Sequence, residues 1–144
     1  MAQQRSADVV WEGNLARGHG TIQGGTGVLR DLEITQPTRF GDADGHTSPE
    51  ELVAAALAGC FAMYLSGVLT KADSPPERLE ARAVVTLDTV DDAPRITTID
   101  LSVVGHVPGI DDETFQAAAR QAEQGCPVSN VLNAEIRLDA RLAS

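Results

Sequence analysis

The sequence predicts an α+β fold made of antiparallel strands and one long, buried central helix. The segments with alternating apolar and polar residues, typical of strands, are separated from the two main helical segments, whereas a doubly wound sheet would alternate strand and helix. An uncharged run at residues 52–69 predicts a helix that is apolar on all sides. With 144 residues the chain can form one compact domain, and we expect a single domain over residues 1–144.

The N-terminal third predicts short strands joined by tight turns. Residues 8–33 alternate weakly between apolar and polar side chains, and several glycines interrupt them. Residues 36–47 contain Pro37 and the polar segment 41–45, and we interpret them as a loop.

The clearest helix start lies at Ser48. Ser48 is a natural N-cap, Pro49 suits the first helical position, and Glu51 completes a capping box. We expect this helix to end near Thr70, before the sequence Ser74-Pro75-Pro76.

The uncharged run is close to the shortest length that spans a membrane, which takes about 20 apolar residues. It is diluted by alanine and glycine and lies between Glu50 and Glu51 at one end and Lys71 at the other. We therefore predict no membrane span. The run instead indicates a buried helix of a soluble protein, covered in part by a second subunit.

The second half predicts a long hairpin, two further helices and a closing strand. Residues 78–90 alternate cleanly, residues 91–94 resemble a turn, and residues 95–107 predict the returning strand. Asp111 or Asp112 should cap a second helix that ends at Gly125 in a left-handed C-cap. A short helix at 127–132 and a strand at 134–142 complete the chain.

Charge and composition limit the partners and the compartment. The formal net charge is −10 and no basic cluster is present, which disfavours binding to nucleic acid. The N-terminal residues lack the apolar stretch of a signal peptide, so we expect a cytoplasmic protein, in which thiols are kept reduced.

The chain has two cysteines in different contexts. Cys60 lies inside the apolar helix, where a cysteine is commonly a small buried hydrophobic residue without chemistry. A reactive Cys60 would need a cation from elsewhere in the fold, because it is far from the helix N-terminus. Cys126 precedes Pro127 at the start of a helix, where backbone N–H groups stabilise a thiolate. From these positions, both an inert and a redox role remain open.

The sequence contains no motif for a metal site or a nucleotide-binding site that would suggest a function other than thiol chemistry. The three histidines, His19, His46 and His106, are scattered, and no zinc-ligand spacing, phosphate-binding loop or serine-nucleophile motif is found.

Several segments together resemble the OsmC branch of the OsmC/Ohr family, the osmotically inducible protein C type peroxidases that include the organic hydroperoxide reductases. They occur in order along the chain: Trp11-Glu12-Gly13, Arg17-Gly18-His19-Gly20-Thr21, Gly27-Val28-Leu29, Thr38-Arg39-Phe40, Ser48-Pro49-Glu50-Glu51-Leu52, Ala58-Gly59-Cys60-Phe61, Val107-Pro108-Gly109-Ile110-Asp111 and Gly125-Cys126-Pro127-Val128-Ser129-Asn130-Val131-Leu132. The family commonly has Asn where Ser48 stands, an exchange of one capping residue for another.

The resemblance implies a thiol peroxidase that works as an intertwined homodimer without haem, flavin or metal cofactor. It implies that Cys60 is the peroxidatic thiol, that Cys126 is the resolving thiol, and that the two form a disulfide after reaction with an organic hydroperoxide. Glu50 matches the family's active-site glutamate. Either Arg17 or Arg39 would hold the Cys60 thiolate, and an external dithiol, of the lipoyl type by the resemblance, would reduce the disulfide.

Two other functions remain as alternatives. One is a dimer of the same fold that binds a small apolar or sulfur-containing ligand without turnover. The other is a protein in which both thiols are buried and inert.

Overall fold

The computed structural model describes residues 1–143, which divide into two compact units at residues 49 and 50. The N-terminal unit contains three strands and a short helix. The C-terminal unit contains the long helix, a second three-stranded sheet and two further helices. The predicted α+β class is confirmed.

The N-terminal unit is a small antiparallel sheet with almost no core of its own. Its strands are β1 (Ala7–Glu12), β2 (His19–Gly24) and β3 (Leu32–Ile34), paired in the order β1-β2-β3. Every residue of β1 is exposed, and Ile22 is the only buried large apolar residue among residues 1–49. A three-stranded sheet needs a covered apolar face to be stable, so this unit depends on cover that its own residues do not provide.

One short helix was not predicted. Residues 36–47 were expected to be a loop, yet Gln36–Phe40 form α1. The Thr35 hydroxyl caps it by accepting a 3.2 Å hydrogen bond from the Thr38 N–H. Pro37 lies in the first turn, where a missing N–H costs nothing, so the residue that suggested a loop instead suits a helix start.

The C-terminal unit follows the predicted order of elements closely. Its helices are α2 (Pro49–Lys71), α3 (Asp112–Gly125) and α4 (Pro127–Val131). Its strands are β4 (Arg78–Val90), β5 (Ala93–His106) and β6 (Glu135–Leu142), in the sheet order β4-β5-β6. Asp111 is the N-cap of α3, and its side chain accepts a 2.8 Å hydrogen bond from the Thr114 N–H.

The hairpin between β4 and β5 has a tighter turn than expected. The turn is Asp91-Asp92 alone, with φ values of 51° and 61°. Two consecutive residues of positive φ are typical of a two-residue hairpin turn, in which aspartate is tolerated. Pro94, predicted to lie in the turn, instead pairs with Thr89 within the strand. It is tolerated because the pairing of β5 with β6 begins only at Thr98.

The last strand departs from the predicted antiparallel arrangement. β6 pairs parallel to β5, with Ile99 opposite Ile136 and Leu101 opposite Leu138. The chain leaves β5, passes through α3 and α4, and returns in the same direction, as parallel pairing requires.

Helix α2 is buried along one side only. Four residues spaced one turn apart are at most 1% exposed: Leu57, Phe61, Leu65 and Leu69. They form a core with β5 and α3 residues, including Leu101 and Phe115. The opposite side is also apolar but open, and Met63 is 78% exposed. By length and composition α2 could span a membrane, but its packed side is that of a core helix.

Candidate active site

Cys60 lies in the middle of α2, away from both helix ends. Its side chain is partly buried and packs against the core of the C-terminal unit. The previous residue is exposed Gly59 and the next is fully buried Phe61, so the thiol lies at the boundary between the packed and open sides of the helix. It can therefore be reached by a small molecule while remaining held by the core.

Cys126 lies in the elbow, the turn at residues 125–127 that joins α3 to α4. It is fully buried. Its N–H donates a 2.9 Å hydrogen bond to the Ala122 carbonyl, and its own carbonyl accepts one of 3.1 Å from the Asn130 N–H. The backbone of Cys126 thus ends one helix and begins the next, which leaves it little freedom.

The two thiols meet in space although 66 residues separate them in the sequence. Both are free, and they lie close enough for the Cys60 side chain to act on the pKa of Cys126. Burial raises the pKa of the Cys126 thiol above its usual range, and the neighbouring Cys60 side chain raises it further. The N–H groups of Ser129 and Val128 act in the opposite direction but are the weaker influence. The thiolate-stabilising helix start expected at Cys126 is therefore outweighed by burial.

A contact from α2 shapes the elbow. Gly125 was expected to adopt a left-handed cap, and this is wrong: it is the last residue of α3 and its φ is not positive. A Cβ atom at this position would lie 2.5 Å from the hydroxyl oxygen of Tyr64, so Tyr64 packs directly on Gly125. Tyr64 was not predicted as a site residue, although its position one helical turn after Cys60 placed it on the same side of the helix.

A second contact joins α4 to α3 across the elbow. The Ser129 hydroxyl donates a 3.0 Å hydrogen bond to the Glu123 carboxylate, across the turn that contains Cys126. Ser129 is buried and Glu123 is half-buried, so the bond is partly shielded from water. Neither side chain was singled out from the sequence.

Glu50 is a buried carboxylate in the first turn of α2, and it is 7% exposed. Ten residues separate it from Cys60, which places it about 15 Å away along the helix axis. Direct contact between these two side chains of one helix is therefore excluded, and any influence of Glu50 on Cys60 needs an intermediary.

The two candidate arginines lie in the N-terminal unit. Arg17 is exposed in a tight turn before β2, where its N–H donates a 2.9 Å hydrogen bond to the Asn14 side chain. Arg39 lies in α1, with its guanidinium 5.6 Å from the centre of the Phe40 ring. The choice between them remains a prediction.

The histidines are engaged with carboxylates rather than gathered into a metal site. Within residues 1–143, no group of three or more potential ligands is close enough to hold a metal ion. The three nitrogen–oxygen distances are 3.4 Å for His19 to Glu12, 3.4 Å for His46 to Glu33 and 3.9 Å for His106 to Glu80.

The chain resembles known proteins along most or all of its length. Residues 41–141 match the family described as OsmC-like protein. The chain is 44% identical to peroxiredoxin OsmC of Escherichia coli K12 over 144 residues, the whole of both chains. The crystal structure of the organic hydroperoxide resistance protein OhrB of Bacillus subtilis superposes with a TM-score of 0.74 at 29% identity, over 94% of this chain and 98% of that one.

A more distant structure supports the fold alone. It is an organic hydroperoxide resistance protein of Elizabethkingia anophelis, with a TM-score of 0.76 at 23% identity over 99% of this chain and all of that one. Likeness to a peroxiredoxin along the entire chain supports peroxidase activity. By its matched residues and its full-length relative, the chain belongs to the OsmC-like family.

Proposed function

We propose that this protein reduces organic hydroperoxides with Cys60 and Cys126 as a catalytic pair. The observation that carries the proposal is the proximity of two free thiols, of which Cys60 is partly exposed and Cys126 is fully buried. Peroxidase activity follows from the full-length likeness to a peroxiredoxin, while the organic substrate and the disulfide are the proposed parts.

In the first step, the Cys60 thiolate attacks the distal oxygen of the hydroperoxide. The O–O bond breaks, the alkoxide leaves and takes up the proton that the Cys60 thiol had released, and Cys60 becomes a sulfenic acid. Cys60 rather than Cys126 is the attacking thiol because it is the one that a peroxide can reach. Exposed Met63, three residues after Cys60 on α2, offers apolar surface that favours an organic substrate over hydrogen peroxide.

In the second step, the Cys126 sulfur attacks the Cys60 sulfur. The S–O bond breaks, a disulfide forms, and the hydroxide leaves as water with the proton from Cys126. The raised pKa of Cys126 keeps it protonated and unreactive towards peroxide until this step. Burial likewise shields it from oxidation by other routes.

The Cys60 thiolate requires a positive charge, because no helix terminus lies near it. Arg17 or Arg39 supplies it in this proposal, since a guanidinium stays charged at all physiological pH values. Buried Glu50 would orient that guanidinium through paired hydrogen bonds. Because Glu50 is too far along the helix to contact Cys60, it would act on the thiolate only through the guanidinium.

The working form would be an intertwined homodimer with both sites at the interface. The open apolar side of α2 and the fully exposed strand β1 support this, because each leaves apolar surface that a second copy would cover. The chain would act as one cytoplasmic domain over residues 1–144, and an external lipoyl-type dithiol would reduce the disulfide.

Intact mass measurement tests the proposal. One equivalent of tert-butyl hydroperoxide should lower the mass of the reduced chain by two hydrogens within seconds, and hydrogen peroxide should do so more slowly. The Cys126→Ser variant is the control and should gain one oxygen instead. An unchanged mass would favour ligand binding without turnover, or inert thiols.

A further inference from the structure

Helix α2 contacts the elbow at two points one helical turn apart. Cys60 and Tyr64 are four residues apart and so project from the same side of the helix. The hydroxyl end of Tyr64 packs on Gly125, the residue just before Cys126, and Cys60 lies close enough to Cys126 to influence its pKa. Two contacts at this spacing define both the distance and the orientation of the elbow relative to α2.

The contact with Tyr64 explains why position 125 holds a glycine, whereas the backbone conformation there does not require one. It lies within α3 and its φ is not positive, so its conformation is one that alanine adopts readily. A Cβ atom there would be 2.5 Å from Oη, 2.6 Å from Cζ and 2.7 Å from Cε1 of Tyr64. These separations are far below van der Waals contact, so a side chain at position 125 and the present Tyr64 ring exclude each other.

We propose that Tyr64 is a positioning residue for disulfide formation, acting through its contact with Gly125. Contact with the ring holds the elbow at the distance from α2 at which the Cys126 sulfur can attack the Cys60 sulfur. This rests on the proposed function, because it concerns the second of its two chemical steps. Tyr64 touches neither the peroxide nor the reacting sulfurs in this role.

The second step is the one that depends on this support. The Cys126 sulfur must approach the Cys60 sulfur opposite the departing oxygen, and a displacement of about 1 Å can slow such a step by about 10²-fold. The first step does not involve Cys126, and Cys60 packs against the core of the C-terminal unit. A change at the Tyr64–Gly125 contact therefore separates the two steps.

The first variant is Gly125→Ala, whose added methyl group collides with the Tyr64 ring. We expect sulfenic acid formation on Cys60 at the wild-type rate, followed by disulfide formation slowed by about tenfold or more. Stopped-flow oxidation with one equivalent of tert-butyl hydroperoxide measures the first step. Trapping with dimedone at timed intervals measures the lifetime of the sulfenic acid, and the longer lifetime should appear as stronger labelling of Cys60.

A double variant identifies Tyr64 as the cause. In the Tyr64→Ala background the space beside position 125 is open, so adding Gly125→Ala should change the rate of disulfide formation by less than about twofold. Tyr64→Ala alone should slow that step because the elbow loses its support. Tyr64→Phe keeps the ring atoms Cζ and Cε1 at the contact and should retain a near-wild-type rate.

Two results would overturn the proposal. One is disulfide formation in Gly125→Ala at the wild-type rate, and the other is an equal slowing by Gly125→Ala in the presence and absence of the Tyr64 ring. Failure of the proposed function itself looks different, since the wild-type protein would then form no disulfide with peroxide, and that result overturns both.

Discussion

The Cys60 thiol is partly exposed, whereas Cys126, whose pKa it influences, is fully buried. Thiol–disulfide exchange requires in-line access of the attacking thiolate to one sulfur of the disulfide. If the pair oxidises without a large rearrangement, only the Cys60 sulfur faces an incoming reductant. The burial of these two residues therefore predicts the direction of the reductive half of the cycle.

The first prediction is that a reductant attacks Cys60 and releases Cys126. The donor thiolate bonds to the Cys60 sulfur, the disulfide breaks, and Cys126 leaves as a thiolate that the N–H groups of Val128 and Ser129 help to stabilise. Oxidised protein treated briefly with N-acetylcysteine and quenched with N-ethylmaleimide should carry the N-acetylcysteine on Cys60 and the alkyl group on Cys126. Peptide mapping reads the result, and the reverse distribution would contradict it.

The second prediction separates the roles of the thiols in turnover. Cys60→Ser should abolish peroxide consumption, because the buried Cys126 cannot replace it. Cys126→Ser should react once and accumulate a sulfenic acid on Cys60 that dimedone traps. Dimedone labelling of Cys126 in the Cys60→Ser protein would reverse the assignment.

The third prediction concerns activation of Cys60. Arg17→Ala, or failing that Arg39→Ala, should slow the first turnover by about 10²–10³-fold, the scale of removing one preorganised electrostatic contact. Stopped-flow oxidation measures the effect. Arg30→Ala is the matched control, because Arg30 is also exposed in the N-terminal unit, where it donates a hydrogen bond to the Gly27 carbonyl. Wild-type rates in both test variants would show that another group activates Cys60.

The fourth prediction follows from the raised pKa of Cys126. Above roughly pH 8.5 an ordinary thiol in the unfolded chain loses its proton, while the folded protein still holds the proton on Cys126. The folded state then binds more protons than the unfolded state, so the free energy of unfolding falls as pH rises through this range. Urea unfolding of the reduced protein between pH 7.5 and 10 should show the decline, and Cys126→Ala should flatten it. A slope unchanged by the substitution would mean that other groups cause the decline.

The fifth prediction concerns assembly. Met63 is 78% exposed at the centre of the open side of α2, between neighbouring exposed Gly59 and Gly67. We expect a dimer that buries more than about 1,600 Å² in total. Sedimentation velocity at micromolar concentration should find dimers of the wild-type protein and a shift towards monomer for Met63→Lys. Thr89→Lys, which adds the same charge at the exposed end of the hairpin, should remain dimeric, whereas a monomeric wild type would contradict the prediction.

Local sequence signals predicted most elements of the C-terminal unit. The bounds of β4 agree residue for residue with the alternating segment, and α2 begins at Pro49 as its capping signal indicated. Asp111 was one of two candidates for the N-cap of α3 and is the cap observed. Such signals succeed because a cap and an alternating strand each depend on a few neighbouring residues.

The wrong predictions fall where the same residue type suits two local structures. Pro37 fits a loop or the first turn of a helix, and the hydrogen bond from the Thr38 N–H to the Thr35 hydroxyl decides for α1. Gly125 fits a left-handed cap or a site of close approach, and Tyr64 decides for the second. The direction of β6 depended on the path of the chain through α3 and α4, which no pattern within the strand records.

By itself, the sequence determined that an apolar helix carries Cys60, that Cys126 begins a short helix, and, through its motifs, which family the chain resembles. Only the tertiary structure brought the two thiols close together and made burial outweigh the helix start in its effect on the pKa of Cys126. The physical reason is that periodicity and capping depend on neighbours in the chain, whereas desolvation and sulfur–sulfur approach depend on how segments 66 residues apart pack together.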